Sequence, residues 1–454
     1  MVKDVREDKF IRMTTRPVKG LVCSMALPSI LSMLVTAFYN LADTFFVGKI
    51  STQATGAVGV VFSYMTLIQA IAFFFGHGCG NYISRELGRR NPDGAQKMAS
   101  LGFFTAAATG ILLGTGGLVF MRPMLRLLGA TETIMPEAVS YFRYILCATP
   151  FIMGSFVLNN VMRMQGNARL AVIGISSGAL LNVALDPLLI FGMKMGTAGA
   201  GLATAISQTV GFAMLFFLSG KKDGIKIRIK DYRLSLSGLL EIGAGGLPSL
   251  GRQGMASIAV ICLNNAAKIY GDSAIAAMSV VSRVTMIAGS ALIGFGQGFQ
   301  PVCGFNYGAG LYDRVKKAFW FCVRVATAAM SVIGVLLYIY AEPLIGLFRK
   351  DDVLLTKIAV QALRYQCMTM PFIGFVVMSN MFLQNTRKTV RATVIAMARQ
   401  GVMFIPSLFL LKYLFGLKGI QLTQSAADIF SFILAIPLSL SAIAGMNRAA
   451  GKRE

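Results

Sequence analysis

Apolar residues run along this chain in stretches of about twenty, each closed by a short polar cluster. Leu101–Phe120, Ala203–Leu218 and Ser257–Ala277 are clear cases. That length crosses roughly 30 Å of hydrocarbon as a helix. An unpaired sheet edge would leave backbone groups unsatisfied in lipid, so the runs are read as helices. Twelve spans can be placed, near 20–46, 54–80, 95–120, 136–163, 170–191, 198–219, 238–268, 273–299, 316–340, 357–383, 391–411 and 419–445. The intervening loops are short except 220–236, which holds Lys221, Lys222, Lys226, Arg228, Lys230 and Arg233.

The pattern repeats. At an offset of 220, Leu27-Pro28-Ser29 matches Leu247-Pro248-Ser249, and Phe75-Gly76-His77-Gly78 matches Phe295-Gly296-Gln297-Gly298. Asp93, Lys97 and Pro123 match Asp313, Lys317 and Pro343 at the same offset. At 221, Arg143-Tyr144 matches Arg364-Tyr365, and Pro150-Phe151-Ile152 matches Pro371-Phe372-Ile373. Six spans per half is an even number, so the halves share one orientation and form parallel repeats. The expected fold is an all-α membrane protein with twelve transmembrane helices in two six-helix lobes around a central cavity. The lobes are 1–219 and 237–454, with 220–236 as a cytoplasmic linker.

Composition agrees. Hydrophobic residues make up 55% of the chain and charged ones 14%, with mean hydropathy +0.66, against about 25% charged in soluble domains. The net charge of +24 does not indicate nucleic acid, because the cations sit in short clusters between apolar runs without interleaved aromatics. With the N-terminus placed in the cytoplasm, 27 Lys and Arg fall in inside segments and 10 in outside loops. Both termini and the central loop are therefore expected inside. Residues 1–20 mix charge signs and the first apolar run is long, so it is read as a retained span and not a signal peptide.

Seven scattered cysteines and a single histidine offer neither a metal cluster nor a disulfide framework. There is no P-loop and no hydrolytic triad, so no enzyme and no organic cofactor is expected. Chemistry must come from ionisable groups inside the membrane, each costly there unless paired, hydrated or neutralised. Only Asp43, Asp186 and Asp428 lie well inside spans. By helical rise, Asp43 lies roughly 35 Å along span 1 and Asp186 about 24 Å up span 5, while Thr204 is about 9 Å down span 6 from the other side. Asn182 shares a helical face with Asp186. Asp43, Tyr141, Asn182, Asp186 and Thr204 can therefore occupy one layer of the first lobe. Two acids with nearby amide and hydroxyl oxygens suit a shared proton. They equally suit a hard cation such as Na⁺ on Asp43, Asn182, Asp186 and Thr204. The bland alternative makes Asp43 an interfacial cap and Asp186 an incidental neighbour of Pro187.

In the second lobe, Asp428 aligns with Gln208 of the first and is expected to pair with Arg252 or Arg283. His77 sits at a glycine break where the repeat has Gln297. Asn40, Gln208, Met33, Met65, Met153, Met255, Met286 and Met378 are candidate cavity-lining residues, since flexible thioethers accommodate varied ligands. Core or lipid-facing packing is the simpler reading for any one methionine.

The chain resembles the MATE (multidrug and toxic compound extrusion) family, and within it the MepA-like and DinF-like bacterial branch. The resemblance covers about residues 15–447. It rests on LPSILSMLVTAFYNLADTFFVG from Leu27, GHGCGNYISRELGRRNPDGA from Gly76, MRMQGN from Met162 and LLNVALDPLLIFG from Leu180. It rests also on GAGLATAISQ from Gly199, GLPSLGRQ from Gly246 and GFGQGFQPVCGFNYGAGLYDRVKKA from Gly294. It implies a plasma-membrane antiporter exporting amphipathic or cationic small molecules against H⁺ or Na⁺, and the cation site of DinF-like members matches Asp43, Tyr141, Asn182, Asp186 and Thr204. A monomer in contact with lipid is expected. Ala256 stands where the NorM-like branch carries a glutamate, so a sodium site of that type is not expected. The alternative activity is a flippase for lipid-linked or amphipathic metabolites.

Overall fold

The computed structural model describes residues 2–220, 224–346 and 352–450, apart from the side chains of residues 2–6, 40, 41, 44, 52, 272, 449 and 450. Asn40, named above for the cavity, and Lys221 and Lys222 of the central loop therefore lie outside the described side chains.

All twelve expected spans are helical. They are α2 (Val18–Gly48), α3 (Thr52–Gly88), α4 (Pro92–Val119), α6 (Met135–Met164), α7 (Ala168–Pro187), α8 (Gly196–Ser219), α9 (Leu236–Ala267), α10 (Asp272–Gly308), α11 (Tyr312–Ile339), α13 (Val353–Asn385), the pair α14 (Thr389–Met397) and α15 (Phe404–Phe415), and α16 (Leu417–Ala450). Among the described residues eleven helices are long and apolar enough to cross a membrane. The remaining long one, α9, carries Glu241 and Arg252. Three short helices complete the set: α1 (Val2–Thr15), α5 (Met121–Leu127) and α12 (Ala341–Gly346). Helix starts are written in the sequence. Ser51, Asn91 and Asp352 accept hydrogen bonds from the amides of Ala54, Gly94 and Leu355 at 2.9–3.0 Å, as good N-caps do.

The repeat extends into backbone conformation. Left-handed residues fall at matched places: Arg90 (φ 59°) with Gly310 (76°), Gly166 (83°) with Arg387 (61°), and Gly196 (57°) with Gly416 (59°). In two of these pairs an arginine holds a conformation that its counterpart fills with glycine. The turn geometry is thus kept even where one half accepts the steric cost of a Cβ. Asn159 and Asn380 likewise donate across to the backbone oxygens of Ala171 and Ala392, at 3.3 and 2.7 Å.

The chain divides into two compact units. Unit 1 comprises Met1–Arg16 and Leu31–Gly246; unit 2 comprises Pro17–Ile30 and Leu247–Glu454. Two of the three boundaries fall beside the matched prolines, Pro28 of α2 and Pro248 of α9. Within unit 1 the start of α9 lies so tightly on α3 that a Cβ on Gly246 would clash with Phe74 and one on Gly78 with Ile242. Within unit 2 the start of α2 lies on α10 in the same way. A Cβ on Gly298 would strike Ala26, and one on Gly294 would come within 2.6 Å of the Ile30 backbone. Small residues let helix backbones approach where no hydrophobic force acts between lipid-solvated helices. The segment 224–236 is folded against unit 1: Ile225 donates its amide to Gln165 at 2.8 Å, Arg228 to Ser100 at 3.3 Å, and Gln96 donates to Asp231 at 2.6 Å.

Candidate functional site

In unit 1 two close helix contacts assemble a polar layer. Gly201 lets α8 settle on α6, where a Cβ would come within 2.8 Å of the Tyr141 carbonyl oxygen. Gly178 does the same for α7 against Ser207 of α8. The side chains brought together are Asn182 and Asp186 of α7, Tyr141 of α6 and Thr204 of α8, each with 2% or less of its surface exposed. Asn182 donates to Asp186 and reaches Thr204, both at 3.4 Å. The Tyr141 hydroxyl lies near Thr204 and 3.9 Å from the Met65 sulfur. Asp43 of α2 faces this layer, within electrostatic reach of Tyr141 and Asp186. Four of the five residues singled out from the sequence are thus packed together, with Asp43 within electrostatic reach of them.

Two further members join them. Tyr39, one turn before Asp43, lies within electrostatic reach of both acids and near Gln208. From sequence, Gln208 is expected only as cavity lining, and Tyr39 is not among the expected site residues. Its spacing of four from Asp43 on the same helix was the available signal. One turn from Tyr141, Glu137 accepts a hydrogen bond from Thr197 of α8.

Several oxygens of the layer lack a partner. Asp43 Oδ1, Asn182 Oδ1, Asp186 Oδ2 and Ser207 Oγ are buried with no hydrogen-bond partner among the described residues. Buried oxygens of this kind are expensive, and two carboxylates within reach of each other in a medium of low dielectric repel. A proton or a cation removes both costs, and oxygen-only donors match H⁺ or a hard ion. Among the described residues no group of three or more His, Cys, Asp or Glu is arranged to hold a metal. Any ion here would depend on amide and hydroxyl oxygens besides the two acids.

Unit 2 treats its acid differently. Asp428 of α16, 1% exposed, is ion-paired to Arg399 at 2.7 Å, and accepts from Gln424 at 3.0 Å and from Thr369 at 3.4 Å. Its ionic partner is Arg399, and neither Arg252 nor Arg283 bonds to it among the described residues. Arg283 is exposed, while Arg252 lies within electrostatic reach of Arg399. The cause is local. Arg399 sits in a π-helical stretch, Ala398–Val402, between α14 and α15, and the wider turn shifts the facing of its side chain away from the α-helical register.

The methionines divide. Met153 and Met378 have no exposed surface and are core residues of their units, not cavity lining. Met255 packs against Gly401, Met65 against Tyr141, Met33 is partly buried, and Met286 is 45% exposed. His77 is buried and stacked on Phe73 at 5.0 Å.

Comparison with known proteins places this geometry. The MatE family profile matches residues 28–188 and 254–410, one block in each half of the repeat and well over half of the chain. The chain belongs to the MatE family. It is 25% identical over 445 residues to the multidrug export protein MepA of Staphylococcus aureus strain MRSA252, covering 97% of this chain and 96% of that one. It is 24% identical over 416 residues to MepA of Staphylococcus haemolyticus, covering 90% and 91%. A MATE protein crystallised in complex with MaL6 has the same fold, with a TM-score of 0.92 at 23% identity over 97% of this chain and 99% of the other. MatE proteins are membrane transporters, a class distinct from enzymes, and this member is a multi-pass one.

Proposed function

We propose that this MatE protein exports small amphipathic or cationic molecules across a bacterial plasma membrane, coupled to entry of H⁺ or Na⁺ at the Asp43–Asp186 layer. The observation that carries the reading is the set of buried acceptor oxygens without donors in unit 1. A proton or cation in the layer would satisfy these oxygens and offset the repulsion between the acids. A bound ion shifts a conformational equilibrium only if one state binds it better, so coupling requires the layer to change affinity as the carrier cycles by alternating access. Tyr39 and Tyr141 would orient the acids, Asn182 and Thr204 supply the remaining oxygens, and Ser207 lies beside them.

The Lys and Arg bias supports a topology with both termini and the 220–236 loop in the cytoplasm. The two repeats within one chain make a monomer sufficient for transport.

The deciding experiment is dye efflux from proteoliposomes with proton and sodium gradients imposed separately. One gradient should drive efflux, and Asp186→Asn should abolish the driven component while the protein remains folded. Wild-type efflux by both Asp43→Asn and Asp186→Asn would move the coupling site elsewhere. A cysteine at Lys226 in a cysteine-free background should resist impermeant thiol reagents applied to intact cells; ready labelling would invert the topology.

A further inference from the structure

Two arginines lie deep inside unit 2 with donors to spare. Arg399 is ten residues past the start of the Thr389–Phe415 span, about 15 Å along it. Arg252 is sixteen residues into the 32-residue helix α9, about 24 Å along. Both are therefore near mid-depth, beyond the headgroup layer that usually receives a membrane arginine. The two helices are locked together at this level. A Cβ on Gly251, next to Arg252, would come within 2.9 Å of Met397, and one on Gly401 would clash with Met255.

Arg399 meets Asp428 end-on through Nε. That leaves its Nη1 and Nη2 groups, with four N–H bonds, without a partner among the described residues. The side chain is 28% exposed, so these donors are open. Arg252 is partly exposed and has no hydrogen-bond or ion-pair partner among the described residues. It lies within electrostatic reach of Arg399. Gln424 and Thr369 also donate to Asp428, so that acid is engaged by three side chains. Arg399 alone is paired with the carboxylate, so the Arg252 charge remains uncompensated at this level. Repulsion between the two guanidinium groups is relieved by an anion placed between them, and forked N–H donors match the paired oxygens of a carboxylate, sulfonate or phosphate.

We propose that Arg252 and Arg399 form an oxyanion subsite at mid-depth of unit 2, which takes the carboxylate, sulfonate or phosphate of an amphipathic substrate. Asp428, Gln424 and Thr369 are positioning residues that fix the Arg399 guanidinium by its Nε and leave its outer edge presented. The subsite extends the export reading from cations to zwitterions and anions, and it rests on that reading only for its physiological use.

Fluorescence polarisation on the purified full chain tests it without any gradient. The probes are a rhodamine with a free carboxylate and its methyl ester, which differ only in the oxyanion. The wild type should prefer the carboxylate. Arg252→Gln should cut that preference about tenfold, and Arg399→Gln/Asp428→Asn, which removes the ion pair as a unit, should do the same. The double variant avoids stranding either charge, and Arg252→Gln leaves the pair intact, so at least one readout survives a folding defect. Competition by phosphatidylglycerol in nanodiscs, lost in Arg252→Gln, would support the subsite with a lipid phosphate as occupant. Competition by a soluble alkyl sulfonate alone would support it with a free amphipath. Equal weakening of both probes in both variants, or an unchanged preference, would overturn it. A negative result here leaves ion coupling at Asp43 and Asp186 standing, and failure of gradient-driven efflux with intact probe selectivity would fault coupling alone.

Discussion

Asp186 in unit 1 and Asp428 in unit 2 are both buried acids on late helices of their six-helix sets, and both have a hydrogen-bonding residue four positions earlier on the same helix, Asn182 or Gln424. Around Asp186 the neighbours are a second acid, an amide and hydroxyls, with no cationic side chain bonded to it among the described residues. Around Asp428 an arginine supplies the counter-charge from within the chain. The repeat register sharpens the contrast, because Gln208 and Thr204 of unit 1 occupy the places of Asp428 and Gln424 in unit 2. One ancestral frame therefore supports two solutions to the same electrostatic problem. A tethered cation neutralises permanently and can do no work on a gradient. A site completed only by a mobile cation has two states, which is what coupling needs.

The largest effect that tests this contrast is on driven efflux. Asp186→Asn should reduce gradient-driven dye efflux more than tenfold, whereas Arg399→Gln/Asp428→Asn should keep most of it for a cationic dye. Equal losses in the two would erase the distinction between a working site and a silent one.

Next is stability. Asp428→Asn alone strands a guanidinium, and breaking a buried pair costs about 3–5 kcal/mol. With Arg399 28% exposed, water softens that to about 2 kcal/mol. A thermal-unfolding scan should show a clear drop in Tm for the single variant and partial recovery in the double. The matching change in unit 1, Asp186→Asn, should leave Tm level or raise it, since it removes one of two acids that repel.

A subtler comparison concerns the helix crossings. Gly78→Ala meets the backbone oxygen of Ile242 and Gly298→Ala meets the backbone of Ala26, so each should destabilise by about 1–3 kcal/mol, and alike. A large disparity in Tm would show that the two crossings are not energetically equivalent.

The smallest effect lies in the turns. Gly196→Ala should cost about 1 kcal/mol, because its φ of 57° is left-handed and nothing else lies near the new methyl. A neutral Tm there would mean that the turn re-forms around alanine.

Span positions and the repeat were legible because membrane crossing demands long apolar runs, and because prolines and glycines at helix breaks tolerate little drift. Asp43, Tyr141, Asn182, Asp186 and Thr204 were legible for a related reason: polar groups at similar depth in one six-helix set have few other places to go. Arg399 was not, since a π-helical insertion rotates a side chain without leaving a compositional mark. Nor were the paired turns, where Arg90 and Gly310, or Gly166 and Arg387, share a conformation without sharing a residue. The helix crossings were hidden for another reason. A continuous apolar run such as Val18–Gly48 does not disclose that its two ends pack on different partners.

Those crossings bear on how the protein is made. Pro17–Ile30 is synthesised before its packing surface on Gly294 and Gly298, which follows more than two hundred residues later. Unit 1, in turn, is finished only when Gly246 has been added. At a translation rate of about 5–20 residues per second, the leading end of α2 waits on the order of ten seconds or more for its contact. During that interval its exposed small-residue face must be held by lipid, by the insertion machinery, or by a temporary neighbour. The first half of the gene, expressed alone, would yield a bundle with one helix end unpaired and one docking groove empty.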